Sequence, residues 1–126
     1  VLLFDGSKRT LYMIRLTVLY NLTPGSDEDA FLEWRLGEHQ KDNASMPYVV
    51  RTDFGRVDEA WTPADSAAKP PYRFMTVMEW PDRAAYEASF LEEGAQAKLR
   101  EDIKRLSDPI FLVSEILINE TLEASA

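Results

Sequence analysis

Met13–Tyr20, MIRLTVLY, is the stretch from which the fold can be read. It is rich in β-branched and aromatic residues. Arg15 and Thr17 alternate with Ile14, Leu16 and Val18, the period-two pattern of a strand. Downstream, Thr23-Pro24-Gly25-Ser26 carries turn chemistry, and Ser26 with Asp29 three residues on predicts the capped start of a helix over Asp27–Asn43. Pro47 ends that segment, and Tyr48–Val57 returns to a strand pattern. The Pro, Ser and Ala content between Asp58 and Pro71 reads as a loop, and Tyr72–Trp80 (YRFMTVMEW) as a third strand. Pro81-Asp82 opens a second helical region that Gly94 interrupts. It resumes over Ala95–Leu106 and stops at Ser107-Asp108-Pro109, before a fourth strand at Ile110–Asn119 (IFLVSEILIN).

Strand, helix, strand, strand, helix, strand is the split βαβ order of an α+β, ferredoxin-like fold. The expected architecture is a four-stranded antiparallel sheet with helices on one face. Residues 13–120 form the domain, 121–126 a C-terminal tail. Residues 1–12 read either as an upstream extension or as an arm that packs on the domain or on a partner, with Asp5-Gly6-Ser7-Lys8 as a turn between weak apolar pieces.

Strands with helices on one side should alternate apolar and polar residues, and these alternate poorly. The fourth strand puts Ile110, Leu112, Ile116 and Ile118 on one face and Phe111, Val113 and Leu117 on the other. The third sets Tyr72, Phe74, Met78 and Trp80 against Met75 and Val77. Both sheet faces therefore expect burial, while the chain has helices for one. A second copy packed sheet to sheet covers the other, so a homodimer is expected.

Composition narrows the partners. With 14 Lys+Arg against 22 Asp+Glu the net charge is −8, which repels nucleic acid and anionic membranes alike. There is no Cys, which excludes a disulfide framework, a thiolate nucleophile and a Cys-ligated metal, and His39 is the only histidine. No apolar run approaches the roughly 20 residues of a membrane helix. Val1–Phe4 is too short for a signal-peptide core, so a cytoplasmic location is expected.

With Phe31 at zero and about 100° per residue, Arg35 falls at about 40°, His39 at about 80°, Leu32 at about 100° and Leu36 at about 140°. Trp34, at about 300°, lies slightly outside this stripe. Two ionisable groups thus point into the sheet-facing side of the helix, where each needs a partner. One account gives them backbone carbonyls and the helix dipole near the helix end. The other places them in a pocket between helix and sheet, with His39 as proton acceptor.

The pattern F-x-x-W-x-x-x-E-H, carried by Phe31, Trp34, Glu38 and His39, resembles the EthD domain family. The stretch EEGAQAKLREDIKRLSDP before the last strand is similar to the second half of that family. The resemblance covers about residues 13–120 and implies membership of the dimeric α+β barrel superfamily. It also implies proximity to bacterial degradation pathways, a leaning towards oxidoreductase activity, and His39 as the helix-borne histidine of the family. Many members follow that histidine with a Pro-containing turn, whereas Gln40, Lys41 and Asp42 stand here.

No Walker-type or G-x-G-x-x-G motif occurs, so no cofactor is expected. The carboxylates show no metal-ligand spacing, so no metal is expected either. The leading reading is a cofactor-independent oxidoreductase or monooxygenase-type enzyme on a small aromatic or polyketide-like molecule, partly by analogy with relatives on this barrel. His39 would be the general base and Arg35 would stabilise a developing enolate or phenolate. Trp34, Trp61, Tyr72, Phe74 and Trp80 are the aromatic candidates for the substrate, each with plain core as its alternative. A second reading is a non-catalytic accessory or ligand-binding protein. A third, haem binding through His39, sits poorly with a chain that offers few cations for propionates. Glu79 and Glu115 could supply a further base, or could simply pair with Arg15, Arg51 or Arg73 across the sheet.

Overall fold

The computed structural model describes residues 12–124. β1 (Met13–Leu22) leads to α1 (Glu28–Trp34), a π-helical turn (Arg35–His39) and α2 (Gln40–Ala44), which run on as one helix. β2 (Arg51–Arg56) and β3 (Phe74–Trp80) follow, then α3 (Arg83–Phe90), α4 (Glu93–Asp102), a short 3-10 turn (Ile103–Arg105) and β4 (Leu106–Ile116). The sheet order is β2-β3-β1-β4 and every neighbouring pair is antiparallel. This is the ferredoxin-like α+β fold read from the element order. The expected arm lies almost wholly outside the described residues.

The core forms where the inner faces of the two central strands meet the helices. Ile14, Leu16, Val18 and Tyr20 of β1 and Phe74, Met78 and Trp80 of β3 are buried with Phe31 and Tyr86. Trp80 meets Tyr86 edge-on at 5.3 Å, and Phe31 packs against Phe74 at 5.2 Å. Such aromatic contacts add to the area they bury.

Several boundaries differ from the sequence reading, each for a local reason. The first helix is capped by Asp27, whose carboxylate accepts from the backbone N–H groups of Asp29 and Ala30, while the Ser26 hydroxyl is spent on the Thr23 carbonyl. The second strand starts only at Arg51, because Tyr48 sits at φ +66°, outside any strand conformation. The second helical region breaks at Leu91-Glu92 rather than at Gly94. Glu92 caps α4 by accepting from the N–H groups of Gly94 and Ala95, so Gly94 lies in that helix's first turn.

Ser107-Asp108-Pro109 does not stop a helix but lies inside β4. The β1–β4 ladder shifts register between Leu19 and Asn21, opposite this stretch, and Asp108 has φ +50°. Pro109 is tolerated because β4 pairs only with β1 and is an edge strand.

The opposite sheet face is mixed. Arg15 reaches Glu79 across the β1–β3 ladder at 2.8 Å, and Arg51 reaches Asp53 at 2.8 Å. Beside them Leu19 pairs with both Met75 and Ile110, and Thr17 with Leu112. Leu112 is 51% exposed, and Met75 and Ile110 are exposed with it. The apolar outer strip expected from strands three and four is therefore present.

The capping geometry separates two adjacent residues. Asp27→Ala is expected to lower unfolding stability by about 1 kcal/mol, the usual cost of a lost N-cap. Ser26→Ala should cost less. Urea denaturation of the two variants checks this.

Candidate functional site

The helix that carries His39 owes its geometry to the π-helical turn. Such a turn takes in one extra residue, which removes about 100° from the phase of everything beyond it. Phe31, Arg35, His39 and Asn43 then share one line, and Phe31, Arg35 and Asn43 are all buried. Leu36, expected on the inner stripe, is 62% exposed instead. Trp34, expected just outside it, packs against the core.

This line faces a partly enclosed cavity of about 180 Å³, well above the roughly 10–15 Å³ that one water requires. Its floor is Leu16, Val18, Thr76 and Met78 of the sheet, and Leu99 and Ile103 close it from the α4 side. Phe90, Leu106 and Phe111 complete a mainly apolar wall.

His39 stands near the mouth. Its ring lies on Trp34 at 4.4 Å, and the Arg105 guanidinium lies on the indole at 4.0 Å. Nδ1 is 3.5 Å from an Asp102 carboxylate oxygen and makes no hydrogen bond. Asp102 accepts instead from Lys98 at 3.0 Å, and Lys98 also reaches Asp42 at 3.3 Å. Burial, then the nearby Arg35 cation, push the His39 pKa down to about 4, with Asp102 opposing. The imidazole is therefore neutral at pH 7 and has a free lone pair.

Arg35 forms the inner end. It is 1% exposed, donating from Nη1 to the Gln40 side chain at 2.8 Å and from Nη2 to the Thr76 hydroxyl at 3.3 Å. Its guanidinium lies over Phe54 at 4.2 Å. The Tyr20 and Thr76 hydroxyls share a hydrogen bond of 3.0 Å. Burial lowers the pKa of Arg35, but a guanidinium keeps its charge in a protein. Among the described residues no carboxylate pairs with it.

Of the residues singled out from sequence, Trp34, Arg35 and His39 come together around the cavity. Trp61 lies in the loop, 67% exposed, and does not line it. Tyr72 precedes β3, and Phe74 and Trp80 are core; none of the three lines the cavity. Glu79 is held by Arg15, as the cross-strand alternative had it. Sequence reasoning missed Tyr20, Thr76, Lys98 and Asp102. The first two sit at ordinary inward strand positions, and the last two lie some 60 residues from His39. Among the described residues no cluster of His, Asp or Glu has the arrangement of a metal site, and no helix is long and apolar enough to cross a membrane.

A family model described as REDY-like protein HapK matches residues 14–117. Search of curated proteins gave no match. Among solved structures, HapK from Hahella chejuensis is 24% identical, with a TM-score of 0.62 over 87% of this chain and 99% of that one. An EthD family protein from Bacillus halodurans is 18% identical, with a TM-score of 0.65 over 83% of this chain and 99% of that one. A dimeric ferredoxin-like protein of unknown function from Thermobifida fusca is 18% identical, with a TM-score of 0.61 over 83% and 92%. At these identities the likeness establishes the fold, and it bears out the resemblance to EthD and the dimeric α+β barrels.

Two outcomes follow from the electrostatics. The folded state holds His39 near pKa 4 against an ordinary value of 6.5, so the unfolded chain binds the extra proton between these values. His39 therefore contributes a loss of stability as pH falls from about 6.5 to about 4, and none above that window. His39→Gln should flatten this part of the stability profile relative to wild type, measured by urea denaturation at stepped pH. Arg35→Met, which removes a buried charge that has no carboxylate among the described residues, should leave stability within about 1 kcal/mol of wild type or above it. Thermal denaturation tests that, and a loss well beyond this would make Arg35 a structural residue.

Proposed function

The chain belongs to the REDY-like HapK family, and from that premise we propose that it is an enzyme acting on a small aromatic or polyketide-like molecule without a permanent cofactor. The observation that carries the reading is the pairing, in one mainly apolar cavity, of a neutral imidazole with a buried cation that has no carboxylate partner among the described residues. Neutral His39 accepts a proton from the substrate, and Arg35 holds the substrate oxygen that carries negative charge. Trp34 holds the imidazole ring from one side and Asp102 approaches Nδ1, which leaves Nε2 for the substrate. Oxidoreductase chemistry in a degradation pathway is the form of this reading that the resemblance to the EthD family implies, with the monooxygenase type added by analogy with other proteins on this barrel.

A non-catalytic binding role is the second reading, and the low pKa of His39 favours it. A base near pKa 4 drives proton abstraction weakly. The same cavity would then hold or deliver a ligand.

We also propose that two copies pack sheet to sheet. Support comes from the exposed apolar strip of Leu112, Ile110 and Met75 and from the dimeric relative of Thermobifida fusca.

The test of activity is incubation with a panel of hydroxylated aromatic and polyketide-like compounds, with no cofactor added, followed by mass spectrometry. Conversion that falls roughly 100-fold or more in His39→Asn, with the fold intact by circular dichroism, is the expected result. Compounds that bind but are never converted would favour the accessory role. For the assembly, Leu112→Lys is expected to turn a dimer into a monomer in sedimentation equilibrium. A monomeric wild type would end the dimer reading.

A further inference from the structure

Charge in and around the cavity is unevenly placed. At the mouth, Lys98 stands between Asp42 and Asp102, so one cation faces two carboxylates. Arg105 is occupied over the Trp34 ring, and His39 is neutral at pH 7. At the inner end Arg35 is alone in charge among the described residues. It donates to Gln40 and to Thr76 and also faces the Tyr20 hydroxyl, which leaves at least two of its five N–H donors. The Tyr20 and Thr76 hydroxyls share one hydrogen bond, which uses one of their two protons and leaves the other free to donate. Arg35, Tyr20 and Thr76 all line the cavity, and all three are nine-tenths or more buried.

A group of donors around a buried cation is incomplete without an acceptor, and a neutral ligand would leave the charge uncompensated. A dianion would exceed the one inner positive charge and would have to pass the carboxylates of Asp42 and Asp102. Resting on the reading of the cavity as a small-molecule site, we propose that it takes its ligand already as a monoanion, such as a carboxylate, enolate or phenolate. The anionic oxygen lies on Arg35, Tyr20 and Thr76, and the apolar body extends towards Phe90 and Phe111. The cavity thus selects for an ionised oxygen in the ligand that binds, and the orientation places acidic oxygen inward and the ring system outward past His39.

Isothermal titration calorimetry of the whole protein at pH 7, with 1-naphthoate and 1-naphthamide as a matched pair of probes, tests this. The carboxylate should bind at least tenfold more tightly than the amide. Arg35→Met should erase that preference, and Tyr20→Phe should weaken the carboxylate several-fold and leave the amide unchanged. Should Arg35→Met fail to fold, the wild-type pair and Tyr20→Phe decide the matter. Equal affinity for the two probes would overturn the anion proposal and leave the cavity reading standing. A carboxylate preference that survives in folded Arg35→Met would also overturn it, because the anion would then sit elsewhere. Binding of neither probe would overturn the cavity reading itself, and the proposal with it.

Discussion

Burial of the inner face of β1 and β3 is the constraint on which the rest of the structure depends. Ile14, Leu16, Val18 and Tyr20 on one strand, and Phe74, Met78 and Trp80 on the next, make a surface that must be covered. The first helix covers part of it through Phe31 and Trp34, and the second helical region covers another part through Tyr86 and Phe90. The gap that remains between these helices and the sheet is the cavity. The cavity is thus a consequence of how two short helical segments cover a wider sheet.

The π-helical turn reconciles that coverage with the chemistry. A regular helix would move His39 and Asn43 away from the line set by Phe31 and Arg35. The extra residue brings all four back to one side, at the cost of exposing Leu36. Such turns are frequent at functional sites because they redirect side chains without ending the helix. Here the result is a buried guanidinium and a half-buried imidazole within one short stretch. Burial, and then the nearby Arg35 cation, keep the imidazole neutral. Their partners come from elsewhere: Tyr20 and Thr76 from the sheet, Asp102 and Lys98 from α4.

The two sheet faces divide the labour. The inner face, covered by helices, holds the core and the cavity floor. The outer face carries ion pairs at Arg15–Glu79 and Arg51–Asp53 beside an apolar strip centred on Leu112. A surface of that kind suits association of like with like, since self-complementary apolar strips flanked by paired charges can meet across a two-fold axis.

Much was legible in the chain alone, because period-two and helical patterns report local burial. MIRLTVLY fixed the central strand, the element order fixed the fold, and the lone histidine with its neighbouring arginine marked the helix that lines the cavity. What failed were features set by contacts distant in sequence or by fine backbone geometry. The 100° wheel could not show the π-helical turn, so Leu36 and Trp34 were misplaced. Ser107-Asp108-Pro109 looks like a terminator until the β1–β4 ladder turns it into a register shift within an edge strand. The aromatic residues Trp61, Tyr72, Phe74 and Trp80 were plausible ligand contacts by type alone, whereas Tyr20 and Thr76 looked like ordinary strand positions. The sequence by itself determined the fold and the identity of the two ionisable groups on the inner helix face. Only the tertiary structure decided that Arg35 would be buried with no carboxylate among the described residues and that Asp102 would stand beside His39. Pairing of charges depends on distances across the fold, and no local pattern in the chain encodes those.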